Sequence, residues 1–182
     1  MFRQTPETSN PEKQVEASIY AKRHYNISSS LDYAALSNYF EALLSVASAD
    51  DELGEEELGW LIEEQRMLLI TSEQVFDNLA ELIKTFDWKN IDLNTVLDDI
   101  RENFPMTTKR ILLYQAIKMS QADKVYHQKE RATTWEIAKT IGLSSDVVRA
   151  IENLVSVENH MDRLRHALLG TSKELGSKPP VP

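Results

Sequence analysis

The sequence predicts an all-α protein: a single-domain bundle of about seven helices built from two degenerate helical repeats. Three observations carry this reading. The chain has few breakers, five Gly and six Pro in 182 residues, and they cluster near the ends and at segment junctions. Between the junctions, apolar residues recur mostly at spacings of three and four, the period of a helix face. One offset of 73 residues relates the two halves, matching Ala49 with Ala122, Asp50 with Asp123, Glu57 with Glu130, Ile70 with Leu143, Ser72 with Ser145 and Val75 with Val148.

The elements follow in order. Residues 1–15 are polar, charged and Pro-containing, and read as a flexible arm. Ile19, Tyr20 and Tyr25 are expected to pack the next segment onto the body. Ser28, Ser29 and Ser30 offer cap hydroxyls to a helix whose stripe is Leu31, Ala35, Leu36, Tyr39, Phe40, Leu43, Leu44, Val46 and Ala47. An acidic junction ends it. Gly54 is placed to cap the next helix, with Glu55, Glu56 and Glu57 at its positive end and Leu58, Leu61, Ile62, Met67 and Leu68 as its core face. Thr71-Ser72-Glu73 starts the next, through Phe86. Trp88 and Ile91 are expected to cover the turn that follows. Asp92 or Asn94 caps a short helix that Pro105 stops.

The second half starts at Thr107 or Thr108 and runs through Ile111, Leu112, Leu113, Ala116, Ile117 and Met119. After a second junction, Trp135, Ile137, Ala138 and Ile141 build a helix that Gly142 ends as a left-handed cap. The last helix is read as packing through Val147, Val148, Ile151, Leu154, Val155, Met161, Leu164, Leu168 and Leu169. Residues 16–170 therefore form the domain, with repeats over about 31–104 and 107–169, and 171–182 form a flexible Pro-rich tail.

Bulk properties exclude several function classes. The chain is 42% hydrophobic and 27% charged, as an ordinary globular domain is, and is long enough for an unaided core. Without cysteine, neither disulfides nor thiolate metal sites can form. The formal net charge of −9 disfavours nucleic acid and anionic membranes as partners. No apolar run approaches the ~18 residues of a membrane span, and the polar N-terminus lacks a signal-peptide core. A cytoplasmic location is the expectation that remains.

The acidity is local. Residues 41–65 carry Glu41, Asp50, Asp51, Glu52, Glu55, Glu56, Glu57, Glu63 and Glu64 with no Lys or Arg. Such a field attracts cations or a basic protein surface. Oxygen-rich clusters suit divalent ions such as Ca, Mg or Mn, and Asp50, Asp51, Glu52 and Glu57 supply the carboxylates, with Asp123 and Glu130 as their counterparts. An EF-hand is excluded: with Asp50 at loop position 1, the required Gly is Glu55 and the required Glu is Leu61. The same acids have a purely structural reading. Glu57 lies three residues after Gly54 and Glu130 three after His127, where a carboxylate reaches back to free N–H groups. Lys124 and Lys129 offset the field at the second junction.

Ala49-Asp50-Asp51-Glu52-Leu53-Gly54-Glu55-Glu56-Glu57, following a helix that ends in small residues, resembles the TerB-like family (tellurite resistance protein B and relatives). Gly142-Leu143-Ser144-Ser145-Asp146 resembles that family's later helix start, as Ile70-Thr71-Ser72-Glu73 does more loosely. The likeness covers about residues 30–170; Asp51 and Lys124 stand where the family usually has Gly. It implies an all-helical fold of internal two-fold character, divalent-cation binding by the junction acids, and a link to tellurite and other stress responses. No defined reaction comes with it.

Nor do the residues supply a reaction. There is no Gly-rich phosphate loop, cysteine nucleophile or Gly-x-Ser-x-Gly turn. None of His24, His127, His160 or His166 has a Glu three residues before it, as a di-iron bundle needs. Asp162 and His166 have ligand spacing on one helix face, which a solvated polar face explains equally. The expectation is a non-enzymatic protein that binds a divalent cation at its junctions. The alternative is an interaction module docking a basic partner through its acidic face.

Overall fold

In a computed structural model of the protein, residues 14–27, 31–48, 53–121 and 128–169 are described. The chain enters as strand β1 (Gln14–Ala17) and helix α1 (Ile19–Tyr25). β2 (Leu31–Asp32) leads into α2 (Tyr33–Ala47). α3 (Glu55–Leu68), β3 (Leu69–Ile70), α4 (Glu73–Thr85) and α5 (Leu93–Asn103) follow, with a 3-10 turn over Trp88–Asn90. α6 (Met106–Met119), α7 (Gln128–Thr140) and α8 (Ser145–Leu169) complete it. Among the described residues eight α-helices thus stand against the seven or so expected, α1 being the addition.

Local chemistry sets most boundaries. Asp32 caps α2, its carboxylate accepting from the N–H groups of Ala34 (2.8 Å) and Ala35 (3.3 Å). This cap replaces the one expected from Ser28–Ser30, which lie outside the described residues. Ser72 caps α4 and Asp92 caps α5. Pro105 stands at the cap position of α6, whose first residue, Met106, comes just before the expected start at Thr107 or Thr108. Gly142 adopts φ +87°, and Leu143 N–H reaches back to the Ala138 carbonyl at 2.8 Å, which closes α7 as expected.

α6 is the central helix. It packs on α2, α3, α7 and α8, and Leu112, Leu113, Ile117 and Met119 are fully buried. Each such side chain contributes roughly 1.5–3 kcal/mol of burial. The starts of α2 and α6, Tyr33 and Met106, are 73 residues apart, as are those of α3 and α7, Glu55 and Gln128, whereas those of α4 and α8, Glu73 and Ser145, are 72 apart.

Three expectations are corrected. Gln14 and Val15 belong to the body rather than to an arm, because β1 is the middle strand of a small antiparallel sheet of order β2-β1-β3. Residues 1–13 and 170–182, the remainder of the expected arm and the tail, lie outside the described residues, as does the Trp88 side chain. Met67 is 48% exposed, because α3 turns that edge away from the bundle. In α8 only Val148, Ile151 and Val155 are buried, whereas Leu154, Met161, Leu164, Leu168 and Leu169 are exposed. That helix carries two apolar stripes, and the bundle covers one. Among the described residues no helix is long and apolar enough to cross a membrane.

Candidate functional site: the acidic junction and a polar-floored cavity

The first junction lies between α2 and α3. Gly54 is the cap residue of α3, and the Glu57 carboxylate folds back to accept its N–H through Oε2 at 2.7 Å. Glycine has no side chain to return the bond, so the box is one-sided. Glu55 and Glu56 are exposed in the first turn, where negative charge favours the helix dipole. Asp50, Asp51 and Glu52 lie outside the described residues, as does Asp123 at the second junction. Glu130 is the third residue of α7, as Glu57 is of α3, but its side chain also lies outside the described set. Of the six candidate ligands, only Glu57 has its side chain placed. Among the described residues no three His, Cys, Asp or Glu side chains group closely enough to hold a metal.

Glu64 corrects the field expected over residues 41–65. It is 5% exposed and faces the bundle, not solvent. The Tyr25 hydroxyl donates to its Oε1 at 2.8 Å. Tyr25 is also bonded to the Gln115 side chain, and the Tyr39 hydroxyl donates to Gln115 Oε1 at 2.8 Å. One run of hydrogen bonds therefore joins α2, α6, α1 and α3. Burial, followed by the influence of Glu64, holds the Tyr25 and Tyr39 hydroxyls above their ordinary range. Burial likewise raises Glu64, which Tyr25, Lys118 and His24 partly offset. On the far side, Tyr114 donates to Glu158 Oε2 at 2.5 Å, and Lys118 lies 3.6 Å from the same oxygen. Burial, with Glu64, Glu158 and Asp162 around it, pushes Tyr20 up to about 12.

Tyr25, Tyr39 and Gln115 form the floor of a cavity of about 400 Å³ between α1, α2, the end of α3 and the α5–α6 turn. Leu36, Phe40, Leu69, Phe104 and Ile111 are among its walls, while Asn38, Asn103 and Thr108 add polar groups. The sequence reading missed this centre. Its signal was Gln115 and Glu64 at positions where the helical stripe calls for apolar residues, and the second was masked by its acidic neighbours.

Residues singled out for other chemistry have structural work. Asp162 pairs with Arg165, and its carbonyl lies 2.7 Å from His166 Nδ1. Trp135 Nε1 donates to Glu152 at 2.9 Å, and Arg131 forks the same carboxylate at 2.8 and 2.9 Å, pinning α7 to α8. Arg131 is the main reason that Glu152 lies below the usual carboxylate range.

A helical bundle with an acid-rich stretch of sequence between α2 and α3 defines the class. The family model for tellurite resistance protein TerB matches residues 43–153, and the chain belongs to that family. It is similar in fold to a solved tellurite resistance protein of Nostoc punctiforme, with 23% identity, a TM-score of 0.67, and coverage of 84% of this chain and 92% of that one. A search of the curated proteins finds no match.

Proposed function

We propose that this TerB-family protein is a non-enzymatic cytoplasmic protein that binds a divalent cation, Ca, Mg or Mn, at the Asp50–Glu57 junction and serves a stress response of the tellurite type. The observation that carries the cation reading is the Glu57 carboxylate, turned back over the start of α3 and held at Gly54 beside Asp50, Asp51 and Glu52 in sequence. The tellurite link rests on the family alone.

Clustered carboxylates repel one another until an ion neutralises them, so binding stabilises the folded chain. Chelated protein should melt several degrees higher, on the order of 1–2 kcal/mol, with millimolar cation. The Asp50→Asn/Glu57→Gln variant should lose that gain. Equal ion responses in parent and variant would remove the ion from this junction. A second reading rests on Glu41, Glu55, Glu56 and Glu63, all exposed, in a stretch without bases. It expects salt-sensitive binding of a basic protein, unchanged by chelator.

A further inference from the structure

The cavity over Tyr25, Tyr39 and Gln115 goes beyond the junction reading and uses none of its residues. About 400 Å³ is the size of a small-molecule site, and its walls are chiefly apolar with a few convergent polar groups. The walls select an apolar body. The floor selects the head.

A phenol has one proton to give and oxygen lone pairs with which to accept. Tyr39 gives its proton to Gln115 Oε1, and Tyr25 gives its proton to Glu64 Oε1. Both protons are committed inward and the Gln115 amide already uses one Tyr25 lone pair, so what is left for a ligand is acceptor capacity, chiefly on Tyr39 and in part on Tyr25. A guest carboxylate would bring more lone pairs to them and lie near Glu64. An ammonium brings three donors and positive charge.

We propose that this cavity binds a small molecule with an apolar body and an amine head, the body against Leu36, Phe40, Leu69, Phe104 and Ile111 and the head on the Tyr25 and Tyr39 oxygens. Neutral alcohols of the same body bind more weakly, and carboxylates weakest. The polar floor is then a recognition surface for the amine as well as a bundle contact.

The test is calorimetric titration of the full chain with 4-phenylbutylamine, 4-phenylbutanol and 4-phenylbutanoate, with chemical-shift mapping of the bound amine. The amine should bind about tenfold tighter than the carboxylate, with the alcohol between them. Shifts should centre on Tyr25, Tyr39 and Gln115. Ala35 lies on the cavity wall yet is exposed, so Ala35→Trp should fill the cavity while the chain stays folded, and should weaken amine binding about tenfold or more. Tyr39→Phe should narrow the gap between amine and carboxylate. If Tyr39→Phe fails to fold, the probe order and Ala35→Trp decide. Absence of binding at millimolar amine, a carboxylate that binds as tightly, or amine binding unchanged in folded Ala35→Trp would each overturn the proposal.

Discussion

Glu64 shows how far one residue's surroundings can depart from its neighbours in sequence. Glu63 is exposed, whereas Glu64 is 5% exposed and bonded to Tyr25. Burial raises its pKa in the folded state above the unfolded value of about 4.3. Between those two values the unfolded chain has released a proton that the native chain keeps. Stability from this group is therefore full below the unfolded pKa and is lost as pH rises through the folded one. Glutamine keeps the acceptor for Tyr25 and cannot ionise. The stability of Glu64→Gln relative to the parent, from urea unfolding between about pH 4.5 and 8, should accordingly climb with pH. Parallel curves would show that Glu64 does not titrate in a different environment on folding. Gln65 is the contrasting neighbour: fully buried, with both side-chain polar atoms lacking a hydrogen-bond partner among the described residues. Such an arrangement costs about 1–3 kcal/mol per orphaned group.

Elements were the most legible level. Caps at Ser72, Asp92 and Gly142 lie where side-chain chemistry had put them, because a cap is decided within a few residues. α8 was less legible. Its apolar residues share a helical period, yet Val155 is fully buried and Leu164 is 41% exposed, because the bundle offers one face for two stripes. Periodicity reports a stripe and not what covers it. Leu164→Glu should therefore change stability by no more than about 0.5 kcal/mol, while Val155→Ala should cost about 2 kcal/mol. Chemical denaturation of both variants checks this; a costly Leu164→Glu would mean that a partner or another segment covers that face. The α7–α8 clamp of Arg131, Trp135 and Glu152 could not be read either, since it joins residues on separate helices.

At the scale of the whole molecule, a strand of four residues ties the two ends of the α2–α3 pair together. Val15 pairs with Leu31 before α2, and Ala17 pairs with Leu69 after α3. Val15 is fully buried and Glu16 is exposed. Val15→Asp should cost about 3 kcal/mol or more by placing a charge in the core, and Glu16→Lys almost nothing, as urea midpoints would report. Equal midpoints would show that the strand holds nothing. The sequence alone determined the helical class and the positions of the main helices, because helix propensity, capping and stripe period act over a few residues. It also located the acidic junctions, though of the candidate ligands only Glu57 has a described side chain. The tertiary structure decided that Gln14 and Val15 enter the centre of a sheet, that Glu64 turns inward, that Leu154, Met161, Leu164, Leu168 and Leu169 of α8 stay bare, and that Tyr25, Tyr39 and Gln115 line one cavity. Each of these joins residues far apart in the chain, and the energy that decides them comes from burial and from pairing buried polar groups, which exist only once the helices have packed.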